Sequence, residues 1–271
     1  KLDTQWTGWN TKGHLCFNDS EDIESDITVF ALGGASWKVT GSDGSWSDTF
    51  IERGINVLPF RAANCAFHID WDTNFIHTHA GKPLKNIALK YKKQSSKGEL
   101  VVSEFGLEGN ALYALSRSLQ DELLTKKSVR IKLDLKPTMT ATQLKAKYKK
   151  SKLTKVTDIL KEDLSLDRTA VALIKQYSDK ETFMDIDQLA KIIKAVPITL
   201  TAADDIDKAI STLGGIALDE VDTNFQLNKM PNTYAIGEML DWYAPTGGYL
   251  LQGCFSMGFS LAENLNGLKV D

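Results

Sequence analysis

The sequence predicts an α/β fold with α+β inserts, and three observations carry that prediction. First, "DITVFALGG" (26–34) is a continuous apolar run stopped by two glycines, the pattern of a parallel-sheet strand buried on both faces. Second, "NIALKY" (86–91), "ELVVSEF" (99–105) and "VRIKLDL" (129–135) alternate apolar and polar residues, as antiparallel strands do. Third, a helical stretch at 139–195 is followed by a return to strand and then to a last helix. A discontinuous β/α domain with something inserted in its middle explains that order better than domains in a row.

The elements follow from the N-terminus. "QWTGWNTKGHLCFN" (5–18) reads as a hairpin, with Asn10 and Gly13 near its turn. After the buried run, "ASWKVTGSDGSWSDTFIERG" is a small-residue loop and then a short helix ending near Gly54. From Pro59 the antiparallel segments begin. Between them, Leu107, Ala111, Leu115, Leu119 and Leu123 recur every fourth residue, so 110–124 is an amphipathic helix with Asn110 as N-cap. Residues 139–195 are helical, with breaks such as Ser178-Asp179. "VPITLT" (196–201), "TLGGIALDEVD" and "NTYAIGEMLD" are strand-like, and a final helix begins at "APTGGYLLQGCFSMG" (244–258).

The bulk composition sets outer bounds on function. With 271 residues, 42% hydrophobic, 25% charged and a net charge of −3, the chain can bury a sizeable core and has no global attraction to nucleic acid or anionic membrane. No apolar run reaches the about eighteen residues that a membrane span needs. Cys16, Cys65 and Cys254 are widely spaced and form no C-x-x-C, so free thiols in a reducing cytoplasm are expected, without a metal site. His77-x-His79 has no nearby third ligand. No G-x-S-x-G supports a serine hydrolase.

The last helix holds the sharpest candidate. Thr246, Gly247, Gly248 and Tyr249 open it, and a glycine pair at a helix start suits close backbone approach to a ligand. Gly253, Ser256, Gly258 and Ser260 are small where a helix favours Leu or Ala. Two readings stay open: close packing of helix on sheet, or a helix N-terminus brought up to an electron-rich ligand. Glu238, after Gly237 and eight residues before Thr246, is either a solvated carboxylate or a partner of a sugar or polyol hydroxyl. Gly41-Ser42-Asp43-Gly44 is either a turn or a cofactor-lining loop behind Gly33 and Gly34. Residues 126–155 carry eleven Lys/Arg against one acidic residue, Asp134. That is normally a solvated face, with polyanion binding as the alternative.

Taken together, "ALGGASWKVTGSDGSW" (31–46), "RAANCAFHIDW" (61–71), "STLGGIALDEVD" (211–222) and "YAIGEMLDWYAPTGGYLLQGCF" (234–255) closely resemble the bacterial YhiN/BaiN-like family of FAD-binding, aminoacetone-oxidase-like flavoproteins. The resemblance implies a partial Rossmann-like FAD-binding domain interrupted by a β-barrel-like domain and a small helical subdomain. The expected boundaries are 1–58 with 229–271, then 59–136 with 196–228, then 137–195. In the family, a strand, a G-x-G-x-x-G loop and a helix precede the stretch corresponding to Lys1 and hold the FAD pyrophosphate. This sequence contains no such loop, so it is expected to be an N-terminally truncated, bacterial, cytoplasmic oxidoreductase fragment that is inactive alone.

Carried over residue by residue, Gly33 and Gly34 end the second nucleotide-contacting strand, and Gly41, Ser42, Asp43 and Gly44 approach the flavin. Gly237 and Glu238 contact the ribityl or pyrophosphate region, and Thr246, Gly247, Gly248 and Tyr249 present N–H groups to the pyrimidine edge of the ring. The implied ligands are FAD, NAD(P)H as reductant and an unknown small-molecule substrate. Self-association through the exposed edge beside "ITVFAL" is also expected, with no membrane or nucleic-acid partner. Many relatives carry T-H-x-G-x-S-G-P where this chain reads "SEFGLEGN" (103–110). Glu104, Glu108 and Asn110 replace the His, Ser and Pro, and no catalytic acid or base can be named. The competing class is a non-enzymatic binding module with a vestigial flavin site.

Overall fold

The computed structural model describes residues 4–18 and 20–267. The chain folds into two compact units, one of Lys1–Ala62 with Ile210–Asp271 and one of Ala63–Ala209.

Its elements begin with β1 (Trp6–Trp9), β2 (Leu15–Phe17) and β3 (Ser20–Ile23), a three-stranded antiparallel sheet. The expected hairpin is present. In its turn, Asn10 Oδ1 accepts from the N–H groups of Lys12 and His14 at 2.8 and 3.0 Å. The third strand, "SEDI", is acidic and carries no apolar period to announce it. β4 (Thr28–Phe30), a 3-10 turn at Lys38–Thr40, α1 (Ser47–Glu52) and β5 (Val57–Ala63) follow. Next come β6 (Phe67–His68), α2 (Thr73–His79), β7 (Pro83–Tyr91), β8 (Gln94–Ser103), β9 (Gly106–Glu108), α3 (Asn110–Tyr113), α4 (Ser116–Leu123) and β10 (Val129–Asp134). The helical stretch is α5 (Ala141–Lys149), α6 (Val156–Asp158, continued by a π turn), α7 (Arg168–Gln176), α8 (Lys180–Met184) and α9 (Ile186–Lys194). β11 (Val196–Leu200), β12 (Ala202–Ala203), β13 (Ser211–Ile216), β14 (Thr233–Ala235) and α10 (Tyr249–Gly267) complete the chain.

The first unit is organised around rings. Trp6, Trp9, Phe30, Phe50 and Trp46 meet at centroid distances of 4.8 to 5.8 Å, mostly edge to face. Each such pair adds about 0.5–1.5 kcal/mol beyond the area it buries. β4 pairs with β14 in parallel, Phe30 opposite Ala235. The run around β4 was expected to be buried on both faces, yet Val29 and Leu32 are 42% and 39% exposed and Phe30 alone turns into the core. Among the described residues β4 has one neighbouring strand, which leaves its second edge and one face uncovered.

The second unit carries a seven-stranded sheet in the order β11-β10-β7-β8-β9-β6-β12. It is open: its end strands β11 and β12 do not pair with each other, where a barrel-like insert was expected. β12 is two residues long and pairs only with β6, too little to close a barrel. In β10, Val129, Ile131 and Leu133 are buried and Arg130 and Lys132 exposed, the alternation legible in the sequence. The expected helix at 110–124 is broken at Ala114–Leu115 into α3 and α4, and Asn110 does not cap it. Gly109 holds the N-cap position, while Asn110 Oδ1 accepts from the Glu99 N–H at 2.9 Å and ties α3 to β8. The later helices start on side-chain caps: Thr140 in a capping box with Gln143, then Asp167, Asp179 and Asp185. Among the described residues no helix is long and apolar enough to cross a membrane.

Candidate functional site

The residues that the family resemblance assigns to the cofactor lie in the first unit, and the structure joins Gly34 and Glu238 beside one threonine. β13 carries Thr212, whose Oγ1 accepts from the N–H groups of Ala35 and Ser36 at 2.9 and 3.1 Å. The Thr212 N–H in turn donates to Glu238 Oε1 at 2.7 Å. Glu238 also accepts from the Gly34 N–H. The loop after β4, the interior of β13 and the turn after β14 are thereby tied at one point. A side chain at Gly34 would collide with Thr212 and approach the Glu238 carboxyl carbon at 3.0 Å, so the close approach itself demands glycine.

Burial raises the Glu238 carboxyl above its ordinary value, and the Thr212 and Gly34 donors only partly offset that. Any cofactor hydroxyl reaching Glu238 must therefore share the carboxylate with these two backbone donors.

Gly33 sits against Ser42, whose Oγ lies 3.1 Å from where a Gly33 Cβ would stand, and Gly33 O accepts from the Trp46 indole at 3.1 Å. Gly44 backs onto the Phe60 ring. Asp43 Oδ1 accepts from the Ser45 N–H at 2.9 Å, and the Ser45 donors hold its carboxyl below the usual range. Gly41 and Asp43 line a cleft of about 590 Å³ with Trp6, Leu32, Trp46 and Thr49. The Trp6 indole N–H is buried there with no acceptor among the described residues.

α10 packs its body on the turn at Gly237. Gly237 N–H approaches Met257 Sδ at 3.3 Å, and the Trp242 indole donates to Gly237 O at 2.9 Å. Burial and the neighbouring Glu238 raise the Cys254 thiol. Gly253 has a specific explanation: an added methyl would overlap the Trp242 ring. At this residue smallness answers to packing, though against the Trp242 ring and not against a sheet as expected. The glycine pair at the start of the helix differs. Gly247 and Gly248 have φ of 106° and 87°, a left-handed backbone that favours glycine. Among the described residues, chain neighbours aside, nothing lies within 4 Å of a Cβ built on Gly248, and only the Tyr249 ring, at 3.8 Å, approaches one on Gly247. Thr246 is half-buried and Tyr249 is exposed.

Thr212 and Trp242 were not singled out by the sequence. The available signal was a polar residue inside the apolar "STLGGI" strand, two positions before a glycine pair, which is an uncommon place for a hydroxyl without a task.

Elsewhere, His79 Nδ1 lies 3.2 Å from Thr169 Oγ1 and its ring stacks on Phe75, while His77 is exposed. In the basic stretch Lys147, Lys149, Lys150, Lys152 and Lys155 are all exposed and form no salt bridge among the described residues.

The HI0933-like protein Rossmann domain matches residues 1–264. A 3-dehydro-bile acid delta(4,6)-reductase of Clostridium scindens is 23% identical over 266 residues, which cover 92% of this chain and 64% of that protein's length.

Proposed function

We propose that this chain, which belongs to the HI0933-like protein family, is part of an FAD-dependent oxidoreductase that acts on a small-molecule substrate with NAD(P)H as reductant. The observation that carries the reading is the start of α10. Two left-handed glycines, with open space beside them, precede a nineteen-residue helix whose body rests on the Gly237–Met239 turn. The similarity to a protein named as a reductase supports the same reaction class.

The residues present fit such a cofactor. The first N–H groups of α10 lack intrahelical partners, and the helix dipole favours negative charge beside them. Gly247 and Gly248 leave room for a flat ring at that end. Thr212 and Glu238 fix the loop after β4 to the turn at Gly237, so both backbones are presented in one arrangement. The cleft at Gly41 and Asp43, lined also by Thr4, Gln5 and Ser45, offers polar contacts to the remainder of the molecule. When bound, FAD supplies the hydride or electron acceptance that side chains cannot.

The test is the flavin absorption band after incubation with FAD and gel filtration, on this chain and on a chain extended to the relative's length. Retained colour that is lost in Gly247→Val with the far-UV spectrum unchanged is expected. No retained flavin in either chain overturns the reading.

A second reading rests on the five exposed lysines between Lys147 and Lys155, which suit a polyanion. Retention on heparin that falls steeply with salt supports it, and a flat response removes it.

A further inference from the structure

One cavity of the Ala63–Ala209 unit takes no part in the flavin reading. It measures about 280 Å³ and is lined from β7, from the loop after β10 and from the start of α7. Leu84, Ile87, Leu135, Leu166 and Ala170, all buried, form its apolar wall. Its polar lining is Lys85, Asn86, Lys136, Thr138, Ser165 and Asp167.

Three local devices converge on that lining. β7 carries a bulge between Leu84 and Ile87, and inside it Asn86 takes a left-handed φ of 53°. A π turn over Ile159–Asp163 follows α6, and Ser165, just beyond it, has a left-handed φ of 52°. Bulges re-aim side chains, π turns recur at functional sites, and a left-handed backbone outside glycine costs stability. The loop after β10 is clamped instead. Lys194 pairs with the buried Asp134 at 2.7 Å and donates to the carbonyls of Lys136 and Met139 at 2.9 and 2.6 Å. The Lys136 N–H donates to Asp134 Oδ1 at 3.0 Å, so the backbone beneath its side chain is fixed on both sides.

The charges of the lining are not spent on one another. Lys136 is half-buried and Lys85 exposed, and neither ammonium has a hydrogen-bond or ion-pair partner among the described residues. Two such cations on one cavity attract an anion. Asp167 Oδ1 accepts from the Ala170 N–H at 2.7 Å, while Oδ2 has no partner among the described residues. A free carboxylate oxygen accepts from hydroxyl groups, and the side chains of Asn86, Ser165 and Thr138 both donate and accept. A second cleft of about 340 Å³ shares Asn86, Ile87 and Thr138 and adds Lys97 and Glu99, one more cation and one more carboxylate. An anion that also carries hydroxyl groups and a short carbon face matches this set. The volume lies just below the range of drug-sized ligands, which favours a small one.

We propose that this cavity binds a small phosphorylated sugar or polyol. Lys85 and Lys136 hold the phosphate, Asp167, Asn86, Ser165 and Thr138 take the hydroxyl groups, and Ile87 and Leu166 receive the carbon face. The site stands independently of the FAD reading.

The experiment titrates the purified chain, without added flavin, by isothermal calorimetry. The probes are glycerol 3-phosphate, ribose 5-phosphate, fructose 6-phosphate and glucose 6-phosphate, beside inorganic phosphate and the four unphosphorylated parents. Saturable binding of at least one phosphorylated probe is expected, at least about tenfold tighter than either inorganic phosphate or its own parent. Lys85→Met and Lys136→Met should each weaken it about tenfold with the far-UV spectrum unchanged. Asn86→Gly and Ser165→Gly separate ligand contact from folding. Glycine adopts the left-handed backbone freely, so the thermal midpoint should change little while affinity falls. Affinity that survives all four substitutions overturns the proposal. Inorganic phosphate binding as tightly as every phosphorylated probe makes the cavity an anion site and overturns the ligand class. No binding by any of the four phosphorylated probes overturns it outright.

Discussion

Gly253→Ala inserts a methyl group where the Trp242 ring already sits: the added carbon would overlap the far edge of the indole, with two further ring atoms at 3.0 and 3.2 Å. Two effects oppose each other. In a helix interior Ala is favoured over Gly by about 0.8–1 kcal/mol. Overpacking a filled site costs about 1–3 kcal/mol. The net change therefore lies between about zero and about 2 kcal/mol of destabilisation. Trp242→Leu removes the obstruction, and in that background Gly253→Ala should stabilise by about 1 kcal/mol, helix propensity alone. The coupling between the two sites is then about 1–3 kcal/mol, from the overpacking cost alone. Urea unfolding of the four proteins followed by far-UV ellipticity measures it. If Gly253→Ala changes stability equally in both backgrounds, the Trp242 ring is not what requires glycine, and the small stripe needs a ligand after all.

Other perturbations test the remaining structure. Glu122 is held at about 2 by Lys126 first, then Lys92 and the Tyr91 hydroxyl. Its stabilisation is complete above the ordinary 4.5 and lost as pH falls toward 2, so the midpoint temperature of Glu122→Gln should fall less steeply across that window. Glu238 has the opposite sign: burial raises its folded-state value, so ionisation weakens the fold as pH climbs above 4.5. Glu238→Gln should flatten that decline while keeping an acceptor for the Thr212 N–H, as read by melting curves from pH 4.5 upward. Thr140→Ala removes the acceptor of the Gln143 N–H at 3.2 Å and half of the capping box. A loss of about 1 kcal/mol in urea unfolding is expected, and Thr140→Ser should restore most of it.

Much of the local architecture was legible in the sequence because local periodicity encodes it. The hairpin around Asn10, the alternation in β10 and the capped helices from Thr140 onward each need only neighbouring residues to specify them. What was not legible depends on partners far along the chain. Asn110 reads as an N-cap until the Glu99 N–H claims its oxygen. The run at 26–34 reads as doubly buried because its composition is apolar, but burial depends on which strands lie alongside it. In the candidate site, the glycines were visible as types and their reasons were not. Gly34 and Gly253 look alike in sequence, yet one answers to Thr212 from 178 residues away and the other to Trp242 from only 11.

The pairing of β6 with β12 has a consequence for how such a chain can be assembled. Asp204 N–H donates to Ala66 O at 2.9 Å, so the segments by which the chain enters and leaves the Ala63–Ala209 unit are joined by a hydrogen bond. A module whose two ends meet can be spliced into a host at a single loop, and the host sees it as a bridge only a few residues wide. The closure entropy imposed on the host is then that of a short loop, whatever the length of the module. Excision should be equally mild: a brief linker from Ala62 to Ile210 reconnects the remaining chain, and the excised piece carries its own seven-stranded sheet away intact.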